Sequence, residues 1–292
     1  MAGDGSAGGP PSGPAARAGT RARPGWRHDD ARTTVVREVL QAVVAGLAAG
    51  TGRASLDIVD AGGGTGGFAV PLAGLGHHVT VIDPSPDSLA AAQRRAAEMS
   101  VPLRAVQGDA ADLVSVAGEN SADLVLCHSV LEYVDSPAAA MAAIARVLRP
   151  GGAVSVLAAS AVAAVIHRAL AGRFDEARRL LAGIGAGADA AAGGRPAGPA
   201  PAAGGGPGRD LAPGGPDLTR RFTLAAVVGL IEDAGLRPGT AHGVRVFADL
   251  VPGVIADADP GTAEALLALE QAASAHPAFH DIATQFHVLG YR

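Results

Sequence analysis

Asp60-Ala61-Gly62-Gly63-Gly64-Thr65-Gly66-Gly67 follows the short apolar run Leu56–Asp60 and leads into an apolar helical stretch, Phe68 to Leu75, closed by Gly76. A strand, a glycine turn and a helix in that order make one β-α unit. The glycines permit positive φ and let a ligand come close to the main chain. Gly62, Gly64 and Gly67 also fit the GxGxxG spacing of dinucleotide sites, a match that carries little weight alone. The plain alternative is a tight strand-to-helix turn that holds nothing. Asp60 argues against a dinucleotide, because a carboxylate at the strand's end would repel a pyrophosphate. A nucleoside with a cationic end suits it instead.

The alternation continues outward from this unit. His78–Asp83, Leu103–Val106, Asp123–Cys127 and Ala153–Ala159 read as strands, and Ser85–Met99 and Pro137–Leu148 as helices, with Ser85 placed to cap the first of these. Residues 31–49 carry Val35, Val36, Val39, Leu40, Val43, Val44 and Leu47 at helical spacing. Strands alternating with helices predict right-handed crossovers and a parallel sheet, hence an α/β fold. A helical region is expected over 160–184, a helix over 222–234, strand-like segments over 237–250, a helix over 262–275 and a last strand over 282–289. The domain division expected is an arm (1–28) and a linker (185–216), both Gly/Ala/Pro-rich, around a core at 29–184 and a C-terminal part of the same domain at 217–292.

Polar residues gather where strands end. Asp83 closes the second strand, where an acid accepts from ribose hydroxyls in this architecture; capping the next helix is the competing role. Pro84 follows it. In GDAAD (108–112), Asp109 can accept from an adenine amino group and the Ala110 N–H can meet a ring nitrogen, while Asp112 shares the rim. Asp109 serves equally well as a helix N-cap. His128 stands at the end of the fourth strand, where ligands of open α/β sheets bind. Leu131, Tyr133 and Val134 are expected in the core. Glu132 is open between a cap, an ion pair and a site residue, and Arg149-Pro150-Gly151-Gly152 reads as an architectural turn.

Composition sets outer limits. The 292 residues carry a net charge of −5, which gives no global reason to expect a nucleic-acid partner. Cys127 is the single cysteine, so no internal disulfide forms, which suits a reducing compartment. The longest near-continuous apolar run, Ala153–Ile166, is short of the ~20 residues that span a bilayer. A cytoplasmic protein with no membrane partner is the expectation. No metal-ligand cluster is visible, since His77 and His78 are adjacent.

VDAGGGTG (59–66), VIDPS (81–85), GDAAD (108–112), DLVLCHSVLEYV (123–134) and RVLRPGG (146–152), in this order, resemble the motif series of class I S-adenosylmethionine-dependent methyltransferases. The resemblance implies a Rossmann-like, seven-stranded, mostly parallel sheet with helices on both faces. It also implies S-adenosylmethionine, which has no phosphate and carries an ammonium that Asp60 would favour. LCHSVLEYVDSP (126–137), LAGRFDEA (170–177), GVRVFADL (243–250) and the tail 265–292 are further similar to the bacterial tRNA 5-carboxymethoxyuridine methyltransferases. That likeness implies methyl esterification of a wobble-uridine carboxylate. By position it places Arg32 on the methionine carboxylate, with Arg37 as competitor. It places Gly62, Gly63, Asp83, Asp112 and His128 on the cofactor, and Arg245 on the substrate side. Asp60, Gly64, Pro84, Asp109 and Ala110 complete the expected cofactor set.

The chain departs from that family where a lysine-rich stretch is expected; Arg195, Arg209, Arg220 and Arg221 lie nearby, and Arg17, Arg21, Arg23 and Arg27 sit in the arm. Three readings follow: transfer to tRNA, transfer to a small metabolite acid or phenol, or a cofactor-binding module without catalysis. With a hydroxyl acceptor, His128 is the expected base.

Overall fold

The computed structural model describes Met1 and residues 28–190, 220–256 and 259–292. Arm residues 2–27 and linker residues 191–216 lie outside the described residues, as do the side chains of 28–33. Helix α1 (His28–Thr51) leads into β1 (Asp57–Ala61), α2 (Ala69–Gly74), β2 (His78–Asp83), α3 (Pro86–Glu98) and β3 (Arg104–Gln107). A 3-10 turn at Ala110–Asp112 and the short α4 (Leu113–Ala117) precede β4 (Ala122–His128), α5 (Pro137–Val147) and β5 (Leu148–Ala159). The helical region expected over 160–184 is two helices, α6 (Ala161–Leu170) and α7 (Phe174–Ala190), broken where Gly172 turns with φ +74°. Then come α8 (Leu224–Asp233), β6 (Arg237–Val244), α9 (Gly253–Ala256), α10 (Pro260–Ser274) and β7 (Gln285–Tyr291).

The seven strands form one sheet in the order β3-β2-β1-β4-β5-β7-β6. β1 pairs in parallel with β2 and β4, β2 with β3, and β4 with β5, while β7 runs antiparallel between β5 and β6. The fold is therefore the expected seven-stranded, mostly parallel sheet. The last strand starts later than expected, because Ala283 N–H donates to the Phe279 and His280 carbonyls and holds the preceding residues in a turn.

Side-chain alternation sorts the strands into two cores. Val59, Val125, Val154, Val156 and Val288 face α5 and α8, with Ile144 and Ile231 among them. Ile58, Leu124, Leu126, Leu157 and Leu289 face α1 and α2, which supply Val36, Leu40 and Leu72. By length and composition Thr34–Thr51 could cross a bilayer, a longer apolar stretch than the one noted from the sequence. In the fold its Val35, Val36, Leu40 and Val44 are buried against the sheet.

At the amino edge, Arg53 reaches Asp123 at 2.7 Å and Asp57 at 2.8 Å, and Arg149 reaches both carboxylates at 2.9 Å. Burial works to raise the Asp57 carboxyl, but hydrogen bonds from Arg53, Arg149 and His78 together hold it below its ordinary value. Arg149-Pro-Gly-Gly, read from the sequence as a turn, is instead the first part of β5, and through Arg149 it ties β5 to β1 and β4. This leaves the opposite, carboxyl edge for chemistry.

Candidate functional site

At that edge β1 gives way to the glycine loop. Gly62, Gly64 and Gly66 have φ of +67°, +53° and +75°, and Gly62 N–H donates to the Ile82 carbonyl at 2.7 Å. A Cβ on Gly62 would lie 2.4 Å from Val130 Cγ2, and one on Gly63 2.5 Å from Asp60 Cγ. These two glycines are required by the protein's own packing. Gly64 differs: the nearest atom to a Cβ there is Asp83 Oδ2 at 4.0 Å, so its side is open to an approaching group.

Asp83 is buried and fully engaged with main chain. Its Oδ2 accepts from Gly64 N–H and its Oδ1 from Ser85 N–H, both at 2.9 Å. The cap of α3 is Ser85, whose Oγ accepts from Ser88 N–H at 3.2 Å. Asp83 is therefore the post that fixes the glycine loop against the β2 turn, and each of its oxygens keeps a second lone pair. Pro84 is held through its carbonyl, which accepts from Gln107 Nε2 at 3.1 Å. Asp60 is buried beneath Gly63, and burial, followed by repulsion from Asp83, pushes its carboxyl up to about 7.

Next along the edge, Asp109 takes the capping role. Its Oδ1 accepts from Ala111 N–H at 3.1 Å, and Asp112 Oδ2 accepts from Asp109 N–H at 3.2 Å. Both carboxylates are exposed at the rim, with Ala110 buried between them.

On β4, His128 packs edge-on against Phe68, ring centroids 4.7 Å apart, and its Nε2 lies 2.7 Å from Ser155 Oγ. Ser129 turns the chain with φ +56°, which brings Val130 under Gly62. Leu131 is core, but Tyr133 is exposed, contrary to expectation. The turn closed by Tyr133 N–H on the Val130 carbonyl carries its ring outward. Glu132 takes a role outside the three that were weighed: its buried Oε1 accepts from Ala159 N–H at 2.7 Å and clamps the end of β5.

Arg245 follows β6 at the same edge. It stands three strand spacings from His128, roughly 15 Å across the sheet. Arg245 Nε donates to Asp249 Oδ1 at 2.9 Å, with Nη2 on the same oxygen, so one edge of the guanidinium is held by a carboxylate of its own loop. Asp249 Oδ2 also accepts from Thr284 Oγ1 at 2.7 Å, and His167 Nε2 lies 3.3 Å from that hydroxyl. Burial holds His167 below its usual range against the pull of Asp249, and the charges of Arg245, Arg221 and Arg168 add to the lowering. An unforeseen support is Glu270 on α10. Its buried carboxylate accepts from the N–H groups of Val246, Phe247 and Ala248 and so fixes the Arg245 loop. The Arg32 side chain lies outside the described residues; Arg37 lines a groove with Leu40, Phe68 and Leu72.

The carboxyl edge thus offers one open glycine and two buried carboxylates, an arrangement receptive to hydroxyls and a cation and hostile to phosphate. Residues 59–156 match the family model described as methyltransferase domain. Over 126 residues the chain is 35% identical to the tRNA 5-carboxymethoxyuridine methyltransferase of Escherichia coli (strain K12), covering 42% of this chain and 48% of that one. Over 99 residues it is 42% identical to a ubiquinone biosynthesis O-methyltransferase of Methylobacterium nodulans, covering 34% and 39%. The chain spans about half the length, or less, of these curated relatives. Among solved structures, magnesium protoporphyrin IX methyltransferase from Synechocystis PCC 6803, with bound SAH, shares the fold with a TM-score of 0.52. It is 16% identical and the likeness covers 90% of this chain and 86% of that one.

Proposed function

We propose, from the premise that residues 59–156 form a methyltransferase domain, that this chain binds S-adenosylmethionine at the glycine loop and methylates an acceptor carboxylate. The observation that carries this reading is the Asp83 carboxylate, bonded to Gly64 N–H beside the buried Asp60. When bound, S-adenosylmethionine supplies a methyl group made electrophilic by its sulfonium. The open side of Gly64 admits a ligand against the main chain, and the spare lone pairs of Asp83 accept from ribose hydroxyls. Asp109, Ala110 and Asp112 form the adenine rim, and Arg32 holds the methionine carboxylate.

Asp60 makes cofactor binding depend on pH. In the free protein its carboxyl is raised to about 7 from 3.8, so the folded chain keeps a proton that the unfolded chain releases. Its contribution to stability is present at low pH and is lost as pH rises between those values. A bound ammonium favours the ionised form. Affinity for S-adenosylmethionine is therefore expected to rise about tenfold from pH 6 to 8, with a proton released on binding. Asp60→Asn should flatten the profile, as read by calorimetry in buffers of different ionisation enthalpy.

A carboxylate acceptor is already ionised near neutral pH, so no base is needed. The chain then has to desolvate and align it, which accounts for ~7–11 kcal/mol in favourable cases. We assign the acceptor as the carboxylate of wobble 5-carboxymethoxyuridine in tRNA. Support comes from the E. coli relative. The chain contains no lysine, so phosphate contacts would fall to arginines. Disrupting the gene should deplete the methyl-ester nucleoside in tRNA measured by mass spectrometry; an unchanged pool rejects this acceptor. The second reading, O-methylation of a small metabolite, is favoured by the net charge of −5 and by the pairing of Arg245 with Asp249 and of Arg168 with Glu176.

A further inference from the structure

Arg245 stands in a backbone conformation that costs a residue with a side chain. Its φ is +59°, a region that glycine enters freely and that nine described glycines of this chain occupy. An arginine kept at such a position points to a need for its side chain. The surroundings hold the conformation in place. Glu270 on α10 is buried; its Oε2 accepts from Val246 N–H at 2.9 Å, and its Oε1 accepts from Phe247 N–H at 2.7 Å and from Ala248 N–H. Thr284 N–H donates to the Arg245 carbonyl at 3.2 Å. The residue on each side of the strained position is thus tied to α10 or to the start of β7.

The guanidinium is held as firmly as the backbone. It has five N–H donors in a rigid fork. Asp249 Oδ1 takes Nε–H and one N–H of Nη2, and Asp249 is itself fixed, because its Oδ2 accepts from Thr284 Oγ1 at 2.7 Å. Two N–H groups on Nη1 and one on Nη2 remain. Among the described residues no acceptor takes Nη1, and a quarter of the side chain stays exposed. The Nη1–Nη2 edge is therefore a preset pair of donors, with the planar spacing that matches two oxygens of one anion.

We propose that Glu270 and Asp249 are positioning residues for Arg245. Glu270 sets the loop that carries it, Asp249 locks one edge of its guanidinium, and the Nη1–Nη2 edge is left to bind an oxyanion of the acceptor. This rests on the reading of the carboxyl edge as the methyl-transfer site, and it adds a requirement on the acceptor: a group with two oxygens sharing a negative charge. A carboxylate meets it, and so does a backbone phosphate. Asp249 has a second effect, because its own charge repels the incoming anion. It gives orientation at the expense of affinity, whereas Glu270, turned towards main-chain N–H groups, gives orientation alone.

The test is 15N NMR of the full chain labelled at arginine, with no cofactor added and Arg245 signals assigned by their loss in Arg245→Lys. The probes are the nucleoside 5-carboxymethoxyuridine, uridine as its uncharged control, and inorganic phosphate. An anion should shift the Arg245 side-chain signals and uridine should not; the tighter of the two anions tells whether a carboxylate or a phosphate is read. Glu270→Gln sets an NH2 against Val246 N–H and should weaken anion binding about tenfold, with affinity for S-adenosylmethionine changed less than about twofold. Asp249→Asn keeps an acceptor oxygen for Nε and removes the repulsion, so it should tighten anion binding about threefold. A purely structural role for the two carboxylates would not move anion affinity in opposite directions. Arg245 signals unmoved by both anions, Glu270→Gln binding as tightly as the wild type, or Asp249→Asn binding no more tightly, overturns the proposal; if Glu270→Gln does not fold, the wild-type and Asp249→Asn titrations decide. Because the titrations are made without cofactor, failure to bind S-adenosylmethionine would reject the functional reading and leave the result on Arg245 standing.

Discussion

Asp83→Ala should weaken S-adenosylmethionine binding by about 100-fold or more, the size expected from losing two hydrogen bonds to a charged group. The carboxylate acts twice. It accepts from Gly64 N–H and Ser85 N–H, holding the loop and the β2 turn in one geometry, and it keeps lone pairs for the ligand. Alanine removes both, and Gly64 N–H then has no side-chain acceptor. Asp83→Asn should weaken binding by about tenfold, since its amide still offers one acceptor oxygen but places an NH2 against an N–H donor. The same change relieves Asp60 of its like-charged neighbour, so the Asp60 carboxyl should move down, back towards its ordinary range. Calorimetry on the three proteins gives the affinities, and a pH series of carboxyl NMR shifts follows Asp60. Equal affinities for wild type and Asp83→Ala would remove Asp83 from the site.

Gly62→Ala should cost about 2–4 kcal/mol of stability and abolish measurable cofactor binding. Two separate penalties meet at this residue. A φ of +67° is a region that side-chain-bearing residues enter at a cost, and the new Cβ would sit 2.4 Å from Val130 Cγ2. Val130 is buried and stiff at χ1, so it cannot swing aside. The two penalties separate in a double variant. Gly62→Ala with Val130→Ala should recover the overlap and leave the conformational cost, a coupling readable in urea unfolding. If the double variant is no better than the sum of the singles, the close approach of β4 to the glycine loop is not what confines position 62.

Much of the architecture was legible because its signals are local. Mostly apolar runs of four to seven residues marked the parallel strands, and Ser85 was recognisable as the cap of α3. Strand direction was not: nothing in residues 285–291 says that they run against β5, because pairing depends on partners far away in sequence. Distance also hid the polar networks. Asp123 joins Arg53 across 70 positions, and Ser155 meets His287 across 132, so no window of sequence contains either pair. The Asp109 roles were undecidable because capping and adenine recognition ask for the same residue at the same place; geometry commits one oxygen to the cap. Arg245 was placed by the family resemblance, which does not show that Asp249 four positions on pairs with it. Tyr133 was placed in the core by its ring, and the left-handed Ser129 that turns it outward left no mark in composition.

The central claim is that the glycine loop and Asp83 bind S-adenosylmethionine and not a dinucleotide. Calorimetric titration of the full chain with S-adenosylmethionine, and separately with NADH, tests it most directly. One saturable site for the sulfonium compound, lost in Asp83→Ala, with no heat from NADH, is the predicted result. Tight NADH binding with no response to S-adenosylmethionine would contradict it.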